Sequence, residues 1–302
     1  MSEQKAGFIA VIGKPNAGKS SLLNWLLDEK IAMVSKKANA TRKRTNAIVM
    51  HGLTQFIFID TPGIHESERL LNKFMLEETI KAMGDADLIL FLLPATDSLQ
   101  SYKDFLSKEP KTPHVVLLTK CDKVTNKKLL EKLSEFEPYK SNFKTLIPIS
   151  VKHKNAKNYL LNELQKFIPK HPYFYDPELI STQMMREIYA EYIREAVFEF
   201  VSDEVPYSSH VIIDKVEESE KLDKVYATII VEKENQKNIL IGQGGKTIKK
   251  IGIYAREMME KIVNKQIFIK ISVNCSRNWT KNEKILTKLG LFVNKKAFFM
   301  IQ

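Results

Sequence analysis

The sequence predicts an α/β chain in two parts, a doubly wound, mainly parallel sheet followed by a smaller α+β domain. Three observations carry that expectation. Through the first 170 residues, short apolar runs alternate with stretches of helical spacing, as parallel strands joined by helical crossovers require. The loop Gly13-Lys14-Pro15-Asn16-Ala17-Gly18-Lys19-Ser20 stands between the first such run and the first helix. The charge is unevenly placed: 14 of the 47 Lys/Arg but 3 of the 36 Asp/Glu lie between Gln236 and Gln302, so this stretch carries the whole net charge of +11. A chain of 302 residues can fill two cores, and 44% hydrophobic with 27% charged residues is a globular balance.

The first run, Gly7-Phe8-Ile9-Ala10-Val11-Ile12, reads as a buried strand, and Ser21-Leu22-Leu23-Asn24-Trp25-Leu26-Leu27 opens a helix. The loop between them fits G-x-x-x-x-G-K-[ST], the phosphate loop of P-loop NTPases. Backbone N–H groups converge there on phosphate oxygens, and the helix dipole favours negative charge. Gly13 and Gly18 permit a close approach that a Cβ would block. Lys19 can reach β- and γ-phosphates, and Ser20 can ligate Mg²⁺.

The basic, aperiodic stretch from Val34 to Arg44 reads equally as a solvated connector or as a loop lending Thr41 to a Mg²⁺ shell. Asn46 to His51 and Gln55 to Ile59 then form a hairpin about Gly52. The second strand delivers Asp60-Thr61-Pro62-Gly63, where Asp60 can hold Mg²⁺ through water and the Gly63 N–H can meet a γ-phosphate. Leu88 to Leu93 is continuously apolar, as a central parallel strand should be, with helical spacing at Arg69 to Met83 and Ser101 to Ser107. Val115 to Leu118 leads into Thr119-Lys120-Cys121-Asp122. There a carboxylate can accept from guanine N1–H and its amine and reject adenine, with the Lys120 stem laid over the base. Leu146 to Ile149, then Ser150-Val151-Lys152 and a helix to Phe167, complete a domain over 1–170.

The phosphate loop, Thr41, DTPG and TKCD resemble the guanine-nucleotide motifs of the translation-factor class of GTPases. Ser150-Val151-Lys152 is similar to their fifth motif, usually Ser-Ala-Lys, whose backbone touches the guanine carbonyl. The resemblance implies GTP/GDP and Mg²⁺ as ligands. Three positions depart from it. Thr119 stands for the usual Asn, which would weaken the bracing of the loop, and Ala40 for the first of two threonines. Ile64 follows DTPG where a water-orienting Gln is found in other members, which implies slow intrinsic hydrolysis. Asn16 matches the position that binds K⁺ in some of these enzymes.

Residues 171–180, with two prolines and aromatics among them, read as a linker to a second domain over 181–302. A helix from Thr182 to Val201 shows one apolar face (Met185, Ile188, Tyr189, Tyr192, Ile193, Val197, Phe200). Strands from His210 to Val216 and Val225 to Glu232 follow, joined by a charged turn. Then Ile241-Gly242-Gln243-Gly244-Gly245-Lys246-Thr247-Ile248-Lys249-Lys250-Ile251 resembles the KH signature. In KH domains two helices meet at a G-x-x-G loop that an RNA backbone approaches. Gln243 and Gly244 are uncharged where such loops usually carry a base. With a helix to Asn264 and a strand from Ile267 to Val273, the order matches the type II KH arrangement.

A GTPase followed by one type II KH domain looks like the Era family of bacterial ribosome-assembly GTPases. That resemblance implies binding to the 3′ end of 16S rRNA during 30S subunit maturation, and a loose association with anionic membrane. The basic C-terminal stretch by itself points to a polyanion, either nucleic acid or membrane surface. Two cysteines far apart, Cys121 and Cys275, no cleavable signal pattern and no apolar run of spanning length fit the reducing cytoplasm, and a monomer is expected.

Overall fold

The computed structural model describes residues 3–29, 45–62, 70–153, 156–202, 204–289 and 291. The chain divides into two compact units, with the boundary between Thr182 and Gln183.

The first unit holds a six-stranded sheet of order β2-β3-β1-β4-β5-β6. Its strands are β1 (Lys5–Gly13), β2 (Thr45–His51), β3 (Thr54–Asp60), β4 (Leu88–Pro94), β5 (His114–Thr119) and β6 (Leu146–Pro148). All neighbours are parallel except the β2–β3 hairpin. The helices α1 (Lys19–Leu27), α2 (Leu70–Asp85), α3 (Gln100–Leu106), α4 (Asn126–Ser134) and α5 (Ala156–Gln165) alternate with the strands. Alternation along the strands divides the core by face. Ile9 and Val11 lie with Leu22, Leu26, Leu161 and Leu164 in one cluster, whereas Ala10 and Ile12 lie with Phe91, Tyr102 and Phe105 in the other. Every residue of β4 is buried. At roughly 2 kcal/mol for each buried large aliphatic, the strand contributes on the order of 10 kcal/mol before chain entropy is subtracted. That is why its run is apolar throughout.

The segment expected as a linker, 171–180, lies along this sheet, within the first unit. Gln55, fully buried, accepts from Phe174 N and Tyr175 N through Oε1 and donates to Tyr175 O. Phe174 stacks on His171 at 4.2 Å and tilts against Phe8 at 4.9 Å. Ser181 forms an antiparallel bridge with Ala47, and Ile48 N donates to Ile180 O. The linker's backbone groups thus find partners on β2 and on the Gln55 side chain of β3.

The second unit runs α6 (Met185–Phe200), β7 (His210–Glu217), β8 (Leu222–Val231), α7 (Glu234–Ile241), α8 (Lys246–Val263), β9 (Gln266–Cys275) and α9 (Glu283–Lys288). The sheet order is β7-β8-β9, antiparallel then parallel, with a bulge between Ile213 and Lys215. The charged turn is shorter than expected, because the strands run on to Glu217 and start at Leu222. Helix α6 buries Ile188, Tyr189, Tyr192, Ile193 and Val197 as its spacing predicts, but Met185 and Phe200 at its ends are exposed. It also buries Arg194 and Glu195; Arg194 pairs with Glu191 at 3.1 Å, and Glu195 accepts from Tyr254 Oη at 2.8 Å. Trp279 is fully buried and donates to Ser208 O at 3.0 Å, anchoring the C-terminal turn. No described helix is long and apolar enough to cross a membrane.

Candidate functional sites

In the first sheet β1 has β3 on one side and β4 on the other, so the chain's order reverses at the C-terminal end of β1. Ligands of such sheets bind at that reversal. The loop from Gly13 to Ser20 leaves β1 there. A Cβ at Gly13 would stand 2.7 Å from Leu92 O and 3.2 Å from Ala17 Cβ, so a side chain there would push the loop off β4. Asn16 (φ 62°) and Gly18 (φ 102°) turn the chain through left-handed conformations, and Ala17 N donates to Lys14 O at 3.1 Å. Asn tolerates that conformation better than most residues. Lys14 is exposed and Pro15 half-buried, and Ser21 is in the first turn of α1.

Lys19 points back into the loop. Its Nζ donates to Gly13 O at 2.9 Å and Lys14 O at 3.1 Å. Burial pulls its pKa from 10.5 down to about 8, with Asp60 drawing it partly back up. A charge held by two carbonyls in a dry cradle is a strong anion anchor.

Asp60 ends β3 and is buried beside Ser20, whose Oγ donates to its Oδ2 at 3.2 Å. Thr61 Oγ1 donates to Val11 O at 2.7 Å, and Thr79 Oγ1 donates to Pro62 O at 3.1 Å. These bonds tie the strand's exit to β1 and α2. Thr41, Gly63 and Ile64 lie outside the described residues. Among the described residues no group of three or more His, Cys, Asp or Glu could hold a metal by itself. Ser20 with Asp60 is instead the sparse oxygen set that suits Mg²⁺, which keeps waters and takes substrate phosphates as further ligands.

Thr119 ends β5, and Lys120 and Asp122 follow it, next to the same edge. Thr119 Oγ1 donates to Ala17 O at 2.8 Å, and Lys120 Nζ donates to Asn16 O. The brace expected to be weakened by the missing amide is therefore made by a hydroxyl. Asp122 accepts from Ser150 Oγ at 2.8 Å and pairs with Lys152 Nζ at 2.6 Å. Lys152 first, then Ser150, hold the carboxyl down at about 2 from an ordinary 3.8. Lys152 N also donates to Ser150 Oγ, at 3.3 Å, and Val151 between them is exposed. One edge thus gathers Lys19, Ser20, Asp60, Thr119, Lys120, Asp122, Ser150 and Lys152, drawn from positions more than a hundred residues apart. A cationic cradle, a carboxylate beside a hydroxyl and an ionised carboxylate can together take a phosphate chain, its metal and a base with paired N–H donors.

In the second unit, α7 ends at Ile241 and α8 starts at Lys246, with Gly242 to Gly245 as the turn. Gly242 N donates to Asn238 O at 2.8 Å, and Gly245 N donates to Gly242 O at 3.1 Å. Gln243 and Gly244 are exposed and Ile241 is half-buried. Ile251, Ala255 and Met259 bury one face of α8, while Lys246, Lys249 and Lys250 are exposed. Among the described residues none of the three lysines has an ion-pair partner. Gly252 of α8 faces Ile269 and Ile271 of β9, where an added Cβ would lie at 3.9 and 4.0 Å. An apolar wall beside an open, basic turn can take bases on one side and phosphates on the other.

A family model described as 50S ribosome-binding GTPase matches residues 8–120, and one described as KH domain matches residues 204–280. GTPase Era of Campylobacter fetus subsp. fetus is 51% identical over 288 residues, which covers 95% of this chain and 100% of that protein. GTPase Era of Helicobacter pylori (strain G27) is 48% identical over 297 residues, covering 97% and 98%. Among solved structures, a variant of Aquifex aeolicus Era bound to GDP·AlF4⁻ matches with a TM-score of 0.91 at 29% identity, over 96% of this chain and 100% of that one. A crystal structure of Era in complex with MgGDPNP and nucleotides 1506–1542 of 16S ribosomal RNA gives the same values.

Proposed function

The chain belongs to the Era family of GTPases, and from that premise we propose that it is a GTP-hydrolysing switch that grips the 3′ end of 16S rRNA during assembly of the 30S subunit. The observation that carries the reading is the gathering of Lys19, Asp60 and Asp122 on one sheet edge, in a chain that also holds the open turn from Gly242 to Gly245.

GTP lies with its phosphates in the loop from Gly13 to Ser21. Lys19 turns its donors from Gly13 O and Lys14 O to β- and γ-phosphate oxygens, and backbone N–H groups of the loop complete the cradle. Ser20 and Asp60, with Thr41, hold Mg²⁺, which neutralises phosphate charge when bound. Asp122 accepts from guanine N1–H and the 2-amino group, and the backbone of Ser150, Val151 and Lys152 meets the base carbonyl. Adenine offers an acceptor and no amine at that edge, and so leaves the carboxylate unpaired. Thr41, with Thr61, Pro62 and Gly63, registers the γ-phosphate and relaxes when it leaves. Ile64 brings no polar group to the attacking water, so hydrolysis without a partner is slow. Asn16 would be the residue to hold a K⁺ ion, which would supply further positive charge near the phosphates when bound.

The second unit takes unpaired rRNA. Phosphates run past Gly242 to Gly245 and along Lys246, Lys249 and Lys250, and bases lie on the apolar wall. The protein works as a cytoplasmic monomer. Its tail, Lys295 to Met300, touches anionic membrane only weakly, since it carries two lysines.

Titrating the purified chain with GTP, ATP and a 16S 3′-end oligonucleotide tests the reading. GTP is expected to bind at least about 100-fold tighter than ATP, a loss typical when a buried group loses its hydrogen-bonding partners. Equal affinities would remove the role of Asp122. Single-turnover hydrolysis with and without RNA, in K⁺ and in Na⁺, reads the switch and the Asn16 site together. Vesicle flotation with competing RNA reads the tail.

A further inference from the structure

Thr119, the last residue of β5, is 6% exposed and reaches across to the phosphate loop. Its hydroxyl donates to Ala17 O at 2.8 Å, and the next residue, Lys120, donates to Asn16 O. Two consecutive residues of the base loop thus hold two consecutive carbonyls of the phosphate loop. A threonine hydroxyl has one proton to give. At position 119 that proton is committed to Ala17, so toward any further group the oxygen is an acceptor only. An asparagine would carry two amide protons, one for the loop carbonyl and one for a second acceptor.

This matters because of where a purine has to lie, given the base reading above. With its N1–H and 2-amino edge on Asp122 and its phosphates against Lys19, the purine turns its five-membered ring toward the junction of the two loops. Thr119 occupies that junction. The atom presented there, N7, is an acceptor, and it meets a side chain whose donor is already used. We propose that Thr119 is a positioning residue that ties the base loop to the phosphate loop through its single proton. Guanine is then selected on its N1–H and 2-amino edge alone, with no side-chain donor from position 119 at N7.

Calorimetric dissociation constants of the full chain for GDP, 7-deaza-GDP and inosine diphosphate test this, on the unaltered protein and on T119N, T119V and T119S. The unaltered protein is expected to bind 7-deaza-GDP within about twofold of GDP and inosine diphosphate about tenfold or more weakly, one hydrogen bond to a charged group being at stake. T119N should create a preference for GDP over 7-deaza-GDP of about fivefold or more by supplying the second proton. T119V should weaken both nucleotides together, by about tenfold for one lost brace, with their ratio unchanged; T119S should restore both. A role in folding alone would not move the 7-deaza ratio. If the unaltered protein rejects 7-deaza-GDP by fivefold or more, or if T119V binds as tightly as the unaltered chain, the proposal is overturned while base recognition stands. If ADP or inosine diphosphate binds as tightly as GDP, it is the Asp122 reading that fails, and the proposal with it.

Discussion

Replacing Gly242 by alanine should loosen the α7–α8 turn far more than the same change at Gly245, three residues on. Gly242 sits at φ 72°, ψ 170°, a region that glycine occupies nearly alone. Holding a side chain there costs about 1–3 kcal/mol. A Cβ would also stand 2.2 Å from Thr247 Oγ1, 2.8 Å from Thr247 Cβ and 2.9 Å from Thr247 N. The hydroxyl can rotate away, but the Cβ and the backbone nitrogen belong to the first turn of α8 and move only with the helix. Relief of such overpacking costs about another 1–3 kcal/mol, for a total near 4 kcal/mol. Gly245 also has a left-handed backbone, φ 76° and ψ 13°, yet a Cβ there meets nothing within 4 Å. Alanine at that position bears only the left-handed penalty of about 1–2 kcal/mol.

The difference, roughly 3 kcal/mol, corresponds to about a 100-fold increase in local opening. Hydrogen exchange on the full-length chain reads it directly, as amide protection over Glu234–Ile241 and the first turns of α8. Protection factors in G242A and G245A that agree within about threefold would refute the steric reasoning. The same geometry separates two ways of losing RNA. G242D would act by spoiling the turn, whereas G244D places a carboxylate in open space, where an added Cβ meets nothing. It should abolish oligonucleotide binding through phosphate repulsion, with less loss of protection than G242D.

Further expectations come from the titrating groups and the linker. With Lys19 held down at about 8, the empty protein gains stability as pH rises from 8 toward 10.5, where the unfolded chain still carries the proton. Phosphate would favour the charged form, so GDP binding at pH 9 should take up a proton; calorimetry in two buffers of different ionisation heat counts it, and zero uptake refutes this use of Lys19. The depressed Asp122 carboxyl contributes stability above pH 4 that is lost as pH falls toward 2. Because Lys152 is 73% exposed, its share is under about 1 kcal/mol. K152A should move the Asp122 midpoint back toward 3.8 in a carboxyl NMR titration, and an unmoved midpoint would clear Lys152 as the cause. Q55A strips partners from Phe174 N, Tyr175 N and Tyr175 O, at a cost of about 1–3 kcal/mol. Limited proteolysis within 171–182 should then quicken, and an unchanged rate would mean that the aromatic stack alone holds the segment.

Much of the fold was legible because its signals are local. Apolar runs gave the strands, and glycine-bearing motifs marked both turns. What escaped depended on residues far apart in the chain. Thr119 lies 102 residues from Ala17, so the sequence showed a missing amide but not the hydroxyl that makes the brace. Gln55 reads as a polar residue in a strand until its partners, 119 and 120 residues on, are seen. Helix α4, absent from the expected elements, is short, and its apolar stripe is confined to Leu129 and Leu133, which pack half-buried against the core, with Thr125 as an ordinary N-cap. Arg194 and Glu195 on α6 are charged and stand outside the residues that mark its apolar face. They are buried because α8 and β7 cover a wider arc of that helix than its apolar stripe suggests.

The starts of the helices link the two proposed sites. Helix α4 is capped by Thr125, which accepts from Lys128 N, and α9 by Asn282, which accepts from Lys284 N and Ile285 N. At the start of α7, Gln236 accepts from Glu232 N and Lys233 N. Helices α1 and α8 differ: each starts on a left-handed glycine, Gly18 or Gly245, with no side-chain cap and no acidic residue in its first turn. Helix α3 also lacks a side-chain cap, but it starts on right-handed, buried Leu99. Having glycine in place of a side-chain cap gives up only about a few tenths of a kcal/mol of helix stability. A capping oxygen at Gly18 or Gly245 would take the N–H groups a phosphate needs, and a first-turn carboxylate would repel the phosphate itself. The stability forgone falls at the two places where an anion is expected, and phosphate binding would return it to each unit separately. GDP should therefore protect the first turn of α1 from hydrogen exchange and rRNA the first turn of α8. The chemistry common to the two expected ligands is the phosphate, and the chain would meet it twice with the same local device.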